Sequence, residues 1–158
     1  MAVRKPARIA GKKTVKAAKL KAKAKAKAKG GLRKEVQLAG GPPAISHYTD
    51  AVRFGNLLFV SGVIAVDKDL NVIGGDDVVA QTRAIFEIMK KVLAAEGATF
   101  ADVLKVTVFL LDVKDRTKIN PVRKEYFGST LPASTLIGVR ELAIPGVKIE
   151  IEAVVGLK

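Results

Sequence analysis

The sequence has no cysteine, which excludes disulfides and thiolate chemistry and leaves the redox compartment open. A single histidine, His47, rules out a His-rich metal site, and no metal is expected. No apolar run approaches the roughly 18 residues of a membrane span, because the run from Leu57 to Val66 is broken by Ser61 and Gly62. The N-terminus shows no apolar core of a signal peptide. Together these absences predict a cytoplasmic protein.

Acid is missing from a whole region. Residues 1–34 hold 14 Lys and Arg with no Asp or Glu, leaving 14 basic and 15 acidic residues from Glu35 onward. The overall net charge of +13 therefore belongs to the first region, and the remainder has the near-neutral balance of an ordinary soluble domain. The division expected is a disordered Lys/Ala-rich tail and linker over 1–34 and one folded domain over 35–158. Alternating lysines, as in KAKAKAKAKGG at 21–31, would circle a helix and repel one another. Lys21, Lys23, Lys25, Lys27 and Lys29 suit a polyanion such as nucleic acid through counterion release. The tail has no aromatic side chain on which bases could stack. A purely solubilising extension fits the same composition, whereas a mitochondrial presequence is disfavoured by the lysine bias and the lack of serine.

From Pro42 onward, periodicity takes over. Phe54 and Leu57 flank a Gly55-Asn56 turn, a hairpin signal, and the second strand ends at Ser61-Gly62, where small residues permit close backbone approach. A short strand is expected around Leu70 to Ile73. Asp76 or Asp77 caps a helix that runs to about Glu96 and is closed by Gly97, with Val79, Ile85, Phe86, Met89, Val92 and Leu93 as its apolar stripe. Val103 to Leu111 reads as a central strand. Asn120 and Pro121 suit the start of a second helix ending near Phe127. Ala133 to Leu142 is a long strand, and the Ile144-Pro145-Gly146 turn leads into VKIEIEAVV.

In that last stretch Val147, Ile149, Ile151, Ala153 and Val155 share one face, and Lys148, Glu150 and Glu152 share the other. The order of elements predicts an α+β two-layer sandwich with both helices on one face of the sheet. The other face, carrying the two carboxylates with Lys105 and Thr107, is expected to be closed by association with further copies.

Several stretches in this order resemble the reactive intermediate deaminase (Rid, or YjgF) family: AISHY at 44–48, FVSG at 59–62, AQTR at 80–83, KVTVFL at 105–110, Asn120 ahead of EYF, LPAS at 131–134 and VKIEIEA at 147–153. The resemblance implies a chorismate mutase-like fold with a mixed sheet, assembled as a homotrimer with clefts between subunits. It also implies hydrolysis of amino-acid-derived enamines and imines to oxo compounds and ammonia, without a cofactor. By the same resemblance Tyr48 would wall the cleft, Ser61 and Gly62 would line it, Asn120 would lie near the ligand, and Glu150 would hold or activate the attacking water.

One departure stands out. The family's deaminating members carry an arginine, which grips the substrate carboxylate, where this chain has Ser134. Exchanging a charged bidentate contact for one neutral hydrogen bond costs about 1.5 to 3 kcal/mol, or about 10- to 150-fold in affinity. Arg140 is roughly 20 Å along the strand, too far to stand in. His47, Arg53 or Arg123, reaching across a subunit boundary, are the candidates to stand in instead. Three readings follow: a Rid-type hydrolase with altered substrate preference, a non-catalytic trimer that binds a metabolite or protein, and a trimer that gathers basic tails for nucleic acid.

Overall fold

Side-chain alternation divides the sheet into two unlike faces. The computed structural model describes residues 32–158, so the tail lysines Lys21, Lys23, Lys25, Lys27 and Lys29, with their polyanion reading, lie outside the described residues. In chain order come β1 (Arg33–Val36), β2 (Ala51–Phe54), β3 (Leu57–Ile64), α1 (Val78–Ala95), β4 (Val103–Leu110), α2 (Arg116–Phe127), β5 (Ala133–Gly138) and β6 (Ile149–Gly156). The six strands form one sheet in the order β1-β2-β3-β6-β4-β5. It is mixed: β6 pairs antiparallel with both β3 and β4, while β4 and β5, joined through α2, run parallel. This is the two-layer α+β sandwich of chorismate mutase-like proteins.

The buried face of the sheet carries Leu58, Val60 and Val63 from β3, Val106, Val108 and Leu110 from β4, and Ile149, Ile151, Ala153 and Val155 from β6. Ile85, Phe86, Met89, Val92 and Leu93 of α1, with Ile119, Val122 and Phe127 of α2, close over it in one apolar cluster. Each fully buried Leu, Ile or Phe contributes about 1.5 to 3 kcal/mol. Lys105, Thr107, Glu150 and Glu152 emerge on the opposite face, Thr107 directly across from Glu152. Beside them Phe59 and Ile137 remain 46% and 41% exposed.

The elements differ from expectation in five places, the first being that β3 does not end at Ser61-Gly62 but bulges there and runs on to Ile64. β1 is a four-residue strand with only Val36 buried, too short for a periodic signal. The expected strand at Leu70 to Ile73 is a loop with a single Val66–Val72 bridge, wound around the Asp67 carboxylate, which accepts from the backbone of Asp69 and Asn71. The second helix starts at Arg116, so Asn120 and Pro121 lie inside it. Asp112, capping the turn before it by accepting from Lys114 N at 2.9 Å, supplies the start signal assigned to Asn120. β5 stops at Gly138, where a Cβ would come within 2.8 Å of Val113.

Candidate functional site

Glu150 reaches the open face because β6 alternates, with Ile64 and Phe109 as its cross-strand neighbours. Beneath it lies Gly62, at a bulge where the register of β3 against β6 shifts between Val60 and Val63. A Cβ at Gly62 would overlap the Glu150 carboxylate, so only glycine leaves room for that side chain as it stands. Among the described residues no group donates a hydrogen bond to Glu150 and no cation pairs with it. Burial, reinforced by the charge of Glu152, pushes its pKa above the ordinary glutamate value. A half-buried carboxylate with free lone pairs and a raised pKa is equipped to hold a water and exchange a proton with it.

Ser61, next to the bulge, donates its hydroxyl to Thr49 O at 2.6 Å and its backbone N–H to Asp50 O at 3.0 Å. Tyr48, Ser61 and Gly62 line one small cavity of about 50 Å³ with Pro43, Ile45 and Asp50. That volume holds a few waters and no amino-acid-sized ligand. Tyr48 is 47% exposed, so one wall of this corner is open.

Asn120 and Ser134 belong to a second place. Ser134 pairs in register with Val106, on the helix-covered side, whereas Glu150 pairs with Phe109, on the open side. The two are two strands and three residues apart, about 14 Å between backbones, and they leave opposite faces of the sheet. Asn120 lines a groove of about 390 Å³ between α2 and the start of β5. Thus Tyr48, Ser61, Gly62 and Glu150 assemble at one corner, and Asn120 and Ser134 at another.

The groups named as stand-ins for the missing arginine differ in their engagements. Arg53 is committed, donating Nε–H to Gly55 O at 2.9 Å and Nη1–H to Glu96 at 3.2 Å. His47 is exposed in the loop before β2. Arg123 donates from Nη2 to Ser134 Oγ at 2.9 Å within the same chain. Spacing of eleven residues across a helix end and a turn carried no signal for this contact. Among the described residues no three His, Asp or Glu form a metal-binding group, and no helix is long and apolar enough to cross a membrane.

Comparison with known proteins agrees with this architecture. Residues 39–156 match the family described as Endoribonuclease L-PSP. A RutC family protein of Pyrococcus horikoshii is 38% identical over 78% of this chain and 97% of its own length. A 2-iminobutanoate/2-iminopropanoate deaminase of Dermatophagoides farinae is 36% identical over 72% of this chain and 88% of its own. The crystal structure of the YjgF gene product of E. coli superposes with a TM-score of 0.71 at 32% identity, over 79% of this chain and 99% of that one. With its mixed sheet, its one-sided pair of helices and a family match that runs from β2 through β6, the chain belongs to the Rid/YjgF family.

Proposed function

We propose that the protein hydrolyses small reactive enamines and imines to oxo compounds and ammonia, using a water held by Glu150. The observation that carries this reading is the Glu150 carboxylate itself, half-buried against Gly62, without a donor and with a raised pKa. An iminium carbon is already electrophilic, so the chain needs only to position water and move protons. Water oxygen bonds to the carbon while one of its protons passes to Glu150, giving a neutral carbinolamine. Glu150 returns that proton to the amino nitrogen. The C–N bond then breaks as the hydroxyl oxygen forms the carbonyl and its proton moves to the carboxylate, releasing ammonia and, on return of that proton to solvent, the starting enzyme.

The two separated corners support a homotrimer in which the open sheet faces meet and, at the β5 edge, the Glu150 corner of one subunit closes against the Asn120 groove of the next. Phe59 and Ile137, exposed beside Lys105, Thr107 and Glu152, give that face the mixed character of a protein interface. Ser134 in the arginine position bears on substrate preference.

Ammonia release from freshly generated 2-aminoacrylate and larger amino-acid-derived imines tests the reading, with Glu150→Gln as control and light scattering to count subunits. The expected result is a clear wild-type rate and a loss of about 10²- to 10⁴-fold in the folded variant. No rate above buffer from folded, trimeric protein overturns it and leaves a non-catalytic metabolite-binding module.

A further inference from the structure

Arg123 is unlike the chain's other well-placed arginines. Arg53 pairs with Glu96, and Arg83 pairs with Glu125 at 2.5 Å. Arg123 is half-buried, yet its one described partner is the neutral Ser134 hydroxyl, and no Asp or Glu pairs with it among the described residues. Burial alone pulls its pKa down, with no carboxylate offsetting that cost. A guanidinium kept partly from water without an anion is tolerated where the anion arrives as a ligand. The surroundings fit one: Arg123 lines the 390 Å³ groove together with Asn120, Lys124, Phe127, Gly128 and Leu131. Two cations and an amide thus face a space with an apolar floor.

We propose that Arg123, steered by Ser134, is the carboxylate-binding group of the substrate, taking a planar 2-imino or 2-oxo carboxylate on the N–H donors that Ser134 leaves free. The inference rests on the hydrolase reading for its substrate class and on the trimer of that reading, which sets Arg123 of one subunit against Glu150 of the next. Ser134 accepts from Nη2 and so fixes the plane of the guanidinium, which makes it a positioning residue. The guanidinium that this chain lacks on β5 is thereby supplied from α2. The loss of affinity expected from serine at position 134 then does not occur, because charge and fork geometry are restored from the neighbouring element.

The test measures 2-oxobutanoate binding by calorimetry to the full-length Glu150→Gln chain, in which turnover does not intervene, beside butanone as the analogue without a carboxylate. Adding Arg123→Gln is expected to weaken 2-oxobutanoate about 10- to 150-fold and leave butanone unchanged. Adding Ser134→Arg to that variant is expected to restore binding, a rescue that a merely structural Arg123 would not show. Equal 2-oxobutanoate affinity with and without Arg123, or no binding to either, overturns the proposal. Ammonia release from 2-aminoacrylate with an unchanged KM in Arg123→Gln overturns it too, while leaving the hydrolase intact. Arg123-dependent binding of the oxo acid without ammonia release by the wild type would sink the hydrolase and support the carboxylate site.

Discussion

At the end of α1, Glu96 is almost fully covered yet holds its proton weakly, because Lys34 Nζ and Arg53 Nη1 lie 2.7 and 3.2 Å from its two oxygens. On β6, Glu150 is half-buried with no cation and no donor, and it holds its proton more tightly than usual. The side chains are the same and the neighbours are opposite. Glu96 is consumed in joining the first two strands to the helix end, and nothing is left over for chemistry. Glu150 is kept unsatisfied, a stability cost that proteins tolerate where the group has work to do.

The largest expected effect breaks the comparison at its geometric root. Gly62→Ala should lower turnover about as far as Glu150→Gln, about 10²- to 10⁴-fold, because the new methyl displaces the carboxylate. Its melting temperature should barely move, since Gly62 has no left-handed φ and the atom displaced ends a flexible side chain. Parallel steady-state kinetics and thermal melts check this; full activity in the alanine variant would show that the seat on Gly62 is irrelevant.

Gln81 adds the case of a wholly buried polar group with every partner in place. Its Nε2 donates to Gly75 O at 2.6 Å and Gly146 O at 2.9 Å, and its Oε1 accepts from Lys148 N at 2.8 Å, tying the loop before α1 to the start of β6. Gln81→Leu orphans all three backbone groups and should destabilise the fold by about 2 to 3 kcal/mol in urea unfolding. Smaller still, Glu96→Gln should cost about 1 kcal/mol at pH 7, since both cations are partly exposed and screened.

The two glutamates should also have opposite pH slopes. The lowered pKa of Glu96 means that its contribution is present above the usual glutamate range near 4.5 and is lost as pH falls. For Glu150 the raised pKa favours the protonated native state. Stability is then greatest below 4.5 and declines as pH rises through the raised value. Glu150→Gln should therefore be slightly more stable than wild type at pH 7, by under about 1 kcal/mol, and no different at acid pH. Denaturation curves at both pH values read the sign, and a variant less stable at pH 7 would place a hidden donor on Glu150.

Much of this was legible in the residues. Alternation along VKIEIEAVV showed which side chains share a face, the stripe in α1 showed which sink into the core, and Asp77 and Gly97 stand where their types suggest, with Asp77 accepting from Val79 N at 2.8 Å and Gly97 at φ +70°. Asn120 misled because its capping chemistry also fits Asp112, four residues ahead of a helix that tolerates Pro121 in its second turn.

From the sequence alone follow the basic segment set apart from a near-neutral body, the two-layer α+β order, the family, and the shared face of Glu150 and Glu152. Tertiary structure decided that Gly62 lies under Glu150, that Ser134 leaves the opposite side of the sheet, and that Arg123 rests on Ser134. Local periodicity encodes which way a residue points relative to its neighbours in the chain. Which residues meet across dozens of positions is set by strand register, by one bulge in β3 and by where a helix ends, and no period in the sequence carries that information.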